Sequence, residues 1–233
     1  MTTIVPSNKI CKYNKFRLPL IEKTNLYKNG KSRRIYFNYN KTDKPLILKL
    51  PDNMKIPYNM NIYEKDVKDK DGNSHTNINK YLTLNFNNSI EKHKNCKKIF
   101  KKFDKFILTI VKDNVFGLFK NTPSITDIYN TNFSGLLNYA RDKDTKEIND
   151  NYTGIRINIT ENTKVIDTDK NEYNVDEYLK EGISGCPIIS INYVYGLGLK
   201  YGVSVDLLYF VIKKPEKEIT NCSNMFNTYS DSD

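Results

Sequence analysis

The spacing of apolar residues along the chain switches between a period of two and a period near 3.6, which marks out strands on either side of a helix. "RRIYFNYN" (33–40) alternates and is rich in aromatics, and "KPLILKLP" (44–51) is a short apolar run closed by a proline; both read as strands. Residues 52–80 are polar and turn-rich, with Asp71-Gly72 as the sharpest turn signal. "YLTLNF" (81–86) then places Leu82, Leu84 and Phe86 on one face and Tyr81, Thr83 and Asn85 on the other. After it the period lengthens. Cys96, Phe100, Phe103 and Ile107 fall on one stripe of an amphipathic helix, with Lys94, Lys97, Lys98, Lys101, Lys102 and Lys105 opposite. A second short helix is expected after Thr122-Pro123-Ser124.

Strands return at "TGIRINIT" (153–160), with Ile155, Ile157 and Ile159 inward and Arg156 and Asn158 outward. "KVIDTDKNEYNVDEYL" reads either as a hairpin turning at Thr168-Asp169-Lys170 or as a strand entering a short helix. The two longest strand candidates are "CPIISINYVYG" (186–196) and "KYGVSVDLLYFVIKK" (200–214). The glycines between them, Gly196, Gly198 and Gly202, invite a phosphate-loop reading. Their spacing is G-x-G-x-x-x-G rather than G-x-G-x-x-G, the following residues are β-branched and aromatic, and no GK[ST] occurs. They are expected to form a hairpin turn and its bulges. Five or so antiparallel strands with an inserted amphipathic helix predict a mainly β (α+β) domain, an OB-type Greek-key barrel. The expected boundaries are an irregular N-terminal arm (1–32), the barrel domain (33–214) and a disordered, flexible acidic C-terminal tail (215–233).

Charge sharpens this picture. Residues 1–120 carry 26 basic and 10 acidic side chains, a net of +16, while residues 121–233 carry 11 and 17, a net of −6. A/T-biased coding explains an excess of lysine, but not its segregation into one half; a polyanionic partner does. With 17 Tyr, 11 Phe and no Trp, the strands also offer rings on which bases can stack. Aromatics and cations interleave at Arg33, Arg34, Tyr36, Tyr39 and Lys49, and again at Arg156, Tyr193, Tyr195, Lys200 and Tyr201. Together with Lys97, Lys98, Lys101 and Lys102 of the helix, these are the candidate nucleic-acid-binding residues. For any single tyrosine, cross-strand packing is as good an account as stacking.

Catalysis is not expected. His75 and His93 lack metal-ligand spacing, the four cysteines are scattered without a CxxC pair, and no nucleophile sits in an elbow context. No cofactor or metal is implied. A metal-dependent nuclease would have to reside in "RDKDTKEIND" (141–150), where a solvated loop is the plainer reading. No apolar run approaches a membrane span and the N-terminal stretch has no signal-peptide pattern, so an intracellular protein with reduced thiols is expected.

Several segments, in order, carry a family likeness: "PLILKLPDNMKIPYNMN", "YLTLNFNN", "CKKIFKKFDKFIL", "NVFGLF", "NYTGIRINI" and "PIISINYVYGLGLKYGVSVDLLYFVIKK". In these the chain resembles the OB-fold single-stranded DNA-binding proteins of large nucleocytoplasmic DNA viruses, themselves distantly similar to the replication protein of short-tailed phages. The family often has a tryptophan in the penultimate strand, where this chain has Ile191 and Tyr193. The resemblance implies sequence-independent binding and protection of single-stranded DNA during viral replication, recombination or repair, in host cytoplasm or nucleus. It also implies replication proteins as partners of the acidic tail. The competing expectation is a structural, virion or replication-accessory protein that works through protein contacts.

Overall fold

A computed structural model describes residues 5–6, 32–36, 45–68, 72–114, 133–141, 148–197 and 200–213. The expected helix after Thr122, Tyr39, the "RDKDTKEIND" residues 142–147 and the C-terminal tail lie outside them. The fold is mainly β. In chain order its elements are β1 (Val5–Pro6), β2 (Ser32–Tyr36), β3 (Leu46–Lys49), β4 (Met54–Lys55), β5 (Asn61–Lys68), β6 (Ser74–Asn85) and helix α1 (Glu91–Asn114). They continue with β7 (Phe133–Ser134), β8 (Asn138–Arg141), β9 (Ile148–Ile159), β10 (Lys164–Ile166), β11 (Glu172–Tyr173), the single-turn α2 (Val175–Tyr178), β12 (Ser184–Leu197) and β13 (Lys200–Ile212).

Five of the strand positions close on themselves. β3 and β4 act as one bent first strand, turned at Asn53, whose φ of +60° an asparagine tolerates. This strand pairs antiparallel with β6 at Lys55–Asn85, and β6 pairs antiparallel with β9, Leu82 opposite Ile157. β9 meets β13 in parallel at Asn158–Asp206, β13 runs antiparallel to β12, and β12 returns antiparallel to β3, Ile189 opposite Leu48. The order first-second-third-fifth-fourth-first, with one parallel contact, is the OB barrel.

The predicted inward rows are the core. Leu82, Leu84, Phe86, Ile155, Ile157 and Ile159 are buried, and they share one cluster with the α1 stripe of Cys96, Phe100, Phe103 and Ile107. The helix between the second and third barrel strands therefore plugs the barrel with the face its periodicity marks, while Lys98, Lys101, Lys102 and Lys105 stay exposed. Both readings of residues 164–178 hold together: β10 and β11 form an antiparallel hairpin that leads into α2. The expected arm is not wholly outside the sheet, since Val5 and Pro6 pair in parallel with Leu48 and Lys49.

Two local expectations change. The polar stretch 52–80 is largely a long ribbon, with β5 paired to β6 from Asn61–Tyr81 to Lys68–Ser74. Its residues lack clean alternation because the ribbon runs beyond the barrel and both faces meet water, as the exposure of Ile62, Tyr63 and Ile78 shows. The glycine segment is a hairpin, Leu197 opposite Lys200, but its register shifts are not at the glycines. They fall at Leu208 and at Asn192, each an extra residue opposite a regular strand.

His93 is a clamp in this fold rather than a ligand. It is fully buried, its Nδ1 accepts the Asn87 N–H at 3.0 Å, and its Nε2 lies 2.8 Å from the Asp52 carbonyl. An accepting Nδ1 requires the proton on Nε2, which then donates to Asp52. The ring also stands edge-on to Phe86 at 6.3 Å. His93→Ala strands two polar groups and is expected to cost about 2–4 kcal/mol in urea unfolding. His93→Phe restores the ring volume only. If the Phe variant matched the parent, the two hydrogen bonds would be contributing nothing.

Candidate functional site

A groove of about 1150 Å³ lies on the outer face of the second and third barrel strands, between the β5–β6 ribbon and the β12–β13 hairpin. Its walls come from Tyr63, Ile78, Lys80 and Tyr81 on the ribbon side and from Asn192, Tyr193, Ser204 and Asp206 on the hairpin side. β9 supplies the middle with Arg156 and Asn158, and Val175 and Asp176 of α2 close one end.

Strand alternation and one bulge explain which side chains arrive here. On β6 and β9 the inward leucines and isoleucines force Tyr81, Arg156 and Asn158 outward. On β12 a regular alternation from Ile189 and Ile191 would carry Tyr193 and Tyr195 into the core. Asn192 is the extra residue between the Ile191–Val205 and Tyr193–Ser204 pairs, and it resets the phase. Val194 becomes the core residue, 2% exposed, while Tyr193 faces the groove beside Asn192. Tyr195 stands opposite Gly202, where a Cβ would lie 2.4 Å from the tyrosine oxygen; only glycine leaves room for that ring.

The centre of the groove is a cation on a ring. The Arg156 guanidinium carbon sits 3.6 Å from the Tyr81 ring centroid, reached diagonally because Arg156 pairs with Thr83. Burial raises the Tyr195 phenol above its usual range against the pull of the Arg156 charge. Tyr195 is thus a neutral ring at physiological pH, within the field of the same arginine. Below them runs a polar row: Asn158 and Asn192 each donate an amide N–H to Asp206, at 3.0 and 2.6 Å. At the α2 end, Lys80 bridges to Asp176 at 3.0 Å, and Asn174 caps the turn by accepting the Asp176 N–H at 2.9 Å. Asp167 anchors the preceding hairpin. Hydrogen bonds from the Asn171 amide, Tyr173 and the backbone hold its carboxyl down at about 2, a structural role.

The nominated residues therefore separate. Arg156 and Tyr193 line the groove, and Tyr195 neighbours them. Arg33, Arg34 and Tyr36 belong to β2, which pairs with this part of β12: Arg33 with Gly196, Arg34 with Tyr195, Tyr36 with Tyr193. The backbone of Lys200 and Tyr201 opens β13 at the hairpin, opposite Leu197 and Gly196. Lys49 is elsewhere, on β3 and 4.0 Å from Asp52. Among the described side chains none of α1 lines the groove, so Lys97, Lys98, Lys101 and Lys102 form a separate basic face. Tyr63, Lys80, Tyr81, Asn158, Asn192 and Asp206 are groove residues not nominated from sequence. For Tyr81 and Asn158 a signal exists in the sequence, because both occupy outward positions of strands whose inward rows the apolar spacing marks.

Among the described residues no three His, Cys, Asp or Glu side chains converge on a metal position, and no helix is long and apolar enough to cross a membrane. One buried carboxyl stands out. Asp104 of α1 accepts the backbone N–H groups of Leu136 and Leu137 at 2.7 and 3.2 Å, and Gly135 has no room for a Cβ against it. This fixes the segment whose β7 end pairs with Tyr201 and Gly202, beside Tyr195. Burial outweighs the two hydrogen bonds and pushes the Asp104 carboxyl up to about 7. The folded state then holds a proton that the unfolded chain releases near pH 4, so stability falls as pH rises from 4 to 7. The full loss is about 4 kcal/mol at ~1.4 kcal/mol per pH unit. Urea midpoints of the parent should drop relative to Asp104→Asn across that window; a constant difference would mean an ordinary carboxylate.

No protein-family model and no curated protein matches the sequence. Among solved structures, the chain is similar to the single-stranded DNA-binding protein from bacteriophage Enc34. To that protein in complex with ssDNA it is 16% identical over 87% of this chain and 98% of the other, with a TM-score of 0.41. For a further structure of the same phage protein, the values are 16%, 89%, 97% and 0.42. The barrel stands on its own strand order.

Proposed function

We propose that the protein binds single-stranded DNA in the groove between its two hairpins, independently of sequence and without catalysis. The observation that carries this is the exposed Arg156 stacked on Tyr81 with Tyr193 across from it, on the barrel face and between the loops that OB folds use for oligonucleotides. Ring and guanidinium planes stack on any base, and a base is exposed to them only in a single strand. The basic first half of the chain and the separate lysine face of α1 add attraction for phosphates without reading sequence. The resemblance of the chain to viral single-stranded DNA-binding proteins extends the reading. The bound strand would be one exposed during viral DNA replication, recombination or repair inside the host cell, with the acidic tail meeting replication proteins.

Fluorescence anisotropy with labelled oligo-dT, duplex DNA and RNA of equal length, across a salt series, tests it. Oligo-dT should bind in preference to duplex, with a log–log salt slope of about −0.7 per phosphate neutralised. Equal binding to duplex, or none at low salt, would move the weight to a protein that acts through protein contacts.

A further inference from the structure

Asp206 places a carboxylate in the hairpin-side wall of a groove that, if it holds single-stranded DNA, receives a polyanion. It is not a stray surface charge. Its Oδ1 accepts the Asn158 amide at 3.0 Å and its Oδ2 the Asn192 amide at 2.6 Å. The Asn192 side-chain oxygen, Oδ1, accepts the Ser190 hydroxyl at 2.6 Å. Four side chains on three adjacent strands are thus joined in one row, and the bulge at Asn192 is what brings its amide into line. The groove cations stand apart from this row: Arg156 on the Tyr81 ring at the centre and Lys80 at the α2 end. A phosphate laid on this row would meet a fixed negative charge at short range, whereas a base edge would meet amide N–H groups and oxygen acceptors.

We infer that Asp206, held by Asn158 and Asn192, is a specificity determinant: it turns the bases of a bound strand toward this polar row and the phosphates toward Arg156 and Lys80, and it rejects polyanions that carry no bases. This rests on the single-strand reading of the groove. It makes the groove a reader of bases as a class, with charge attraction confined to Arg156 and Lys80.

The test compares oligo-dT, an abasic oligonucleotide of equal length and inorganic polyphosphate, against the full chain and its Asp206→Asn variant. The abasic strand should bind the parent about 100-fold more weakly than oligo-dT, through loss of stacking. Asp206→Asn should narrow that ratio by roughly tenfold, which corresponds to about 1.4 kcal/mol of discrimination. Photocrosslinking of a 5-iodouracil-containing strand to the parent should give adducts on the peptides that contain Tyr81 or Tyr193. If the variant does not fold, polyphosphate decides: the parent should bind it no more tightly than the abasic strand, and binding as tight as that of oligo-dT would overturn the inference. An unchanged ratio in the variant would remove the role of Asp206 alone. Abasic and dT strands bound alike by the parent, or adducts confined to other peptides, would remove the groove reading with it and leave any DNA binding to another surface. A parent that binds no oligo-dT would overturn both readings.

Discussion

Arg156→Ala is expected to weaken binding of oligo-dT about 10- to 100-fold, the loss of roughly one stacking position. The side chain is exposed on β9, so little of the barrel depends on it. A surface change of this kind moves stability by about 0.5 kcal/mol, with up to ~1 kcal/mol more from the lost cation–ring contact. Binding suffers more because the guanidinium acts twice, as a plane extending the Tyr81 ring and as a charge within reach of a phosphate. The salt slope should therefore shrink by about 0.7 along with the affinity. Arg156→Lys keeps the charge and loses the plane, so it should restore the slope and only part of the affinity. An Arg156→Ala protein that binds oligo-dT within twofold of the parent would place the DNA path elsewhere, with the α1 lysines as the next surface to test.

The second large effect concerns the phase of β12. Val194→Asp should lower stability by at least about 4 kcal/mol, enough to leave much of the protein unfolded, because it buries an unpaired charge in the barrel. Tyr193→Asp, one residue away, should remain folded, losing about 1 kcal/mol of partial packing, and should bind oligo-dT poorly. Soluble yield and urea midpoints for the pair read this directly. A strand without the Asn192 bulge would give the reverse: Tyr193→Asp unfolded and Val194→Asp tolerated. The contrast matters for function, since only the bulged phase sends Tyr193 and Tyr195 to the side of Arg156.

Several parts of this protein are legible in one dimension. Where a strand or helix has one dry and one wet face, burial writes itself into the spacing of apolar residues. That is why the inward rows of β6 and β9 and the α1 stripe are readable, and why Arg156 can be named from its place between Ile155 and Ile157. The glycine-rich hairpin is also readable, because phosphate loops demand a spacing and a following helix that this segment lacks. The β5–β6 ribbon is not. Both its faces are wet, so its sequence carries no alternation, and its pairing exists only because β6 is already anchored in the barrel.

The grouping of the basic residues is equally closed to sequence. A count of charges cannot say that Arg156 lies in the groove while the lysines of α1 stand on another surface, since that depends on where the inserted helix docks. Nor can it foresee Asp206, an acidic residue in a basic protein's groove, whose place comes from a parallel contact between strands 48 residues apart, the separation of its hydrogen-bond partner Asn158. By itself the sequence determined the strand and helix faces, the segregation of charge and the hairpin, because each is set by local chemistry and solvent contact. Only the tertiary structure decided the register: one extra residue at Asn192, accommodated because Val194 then fills the core, turns two tyrosines from packing into a surface that can hold a base.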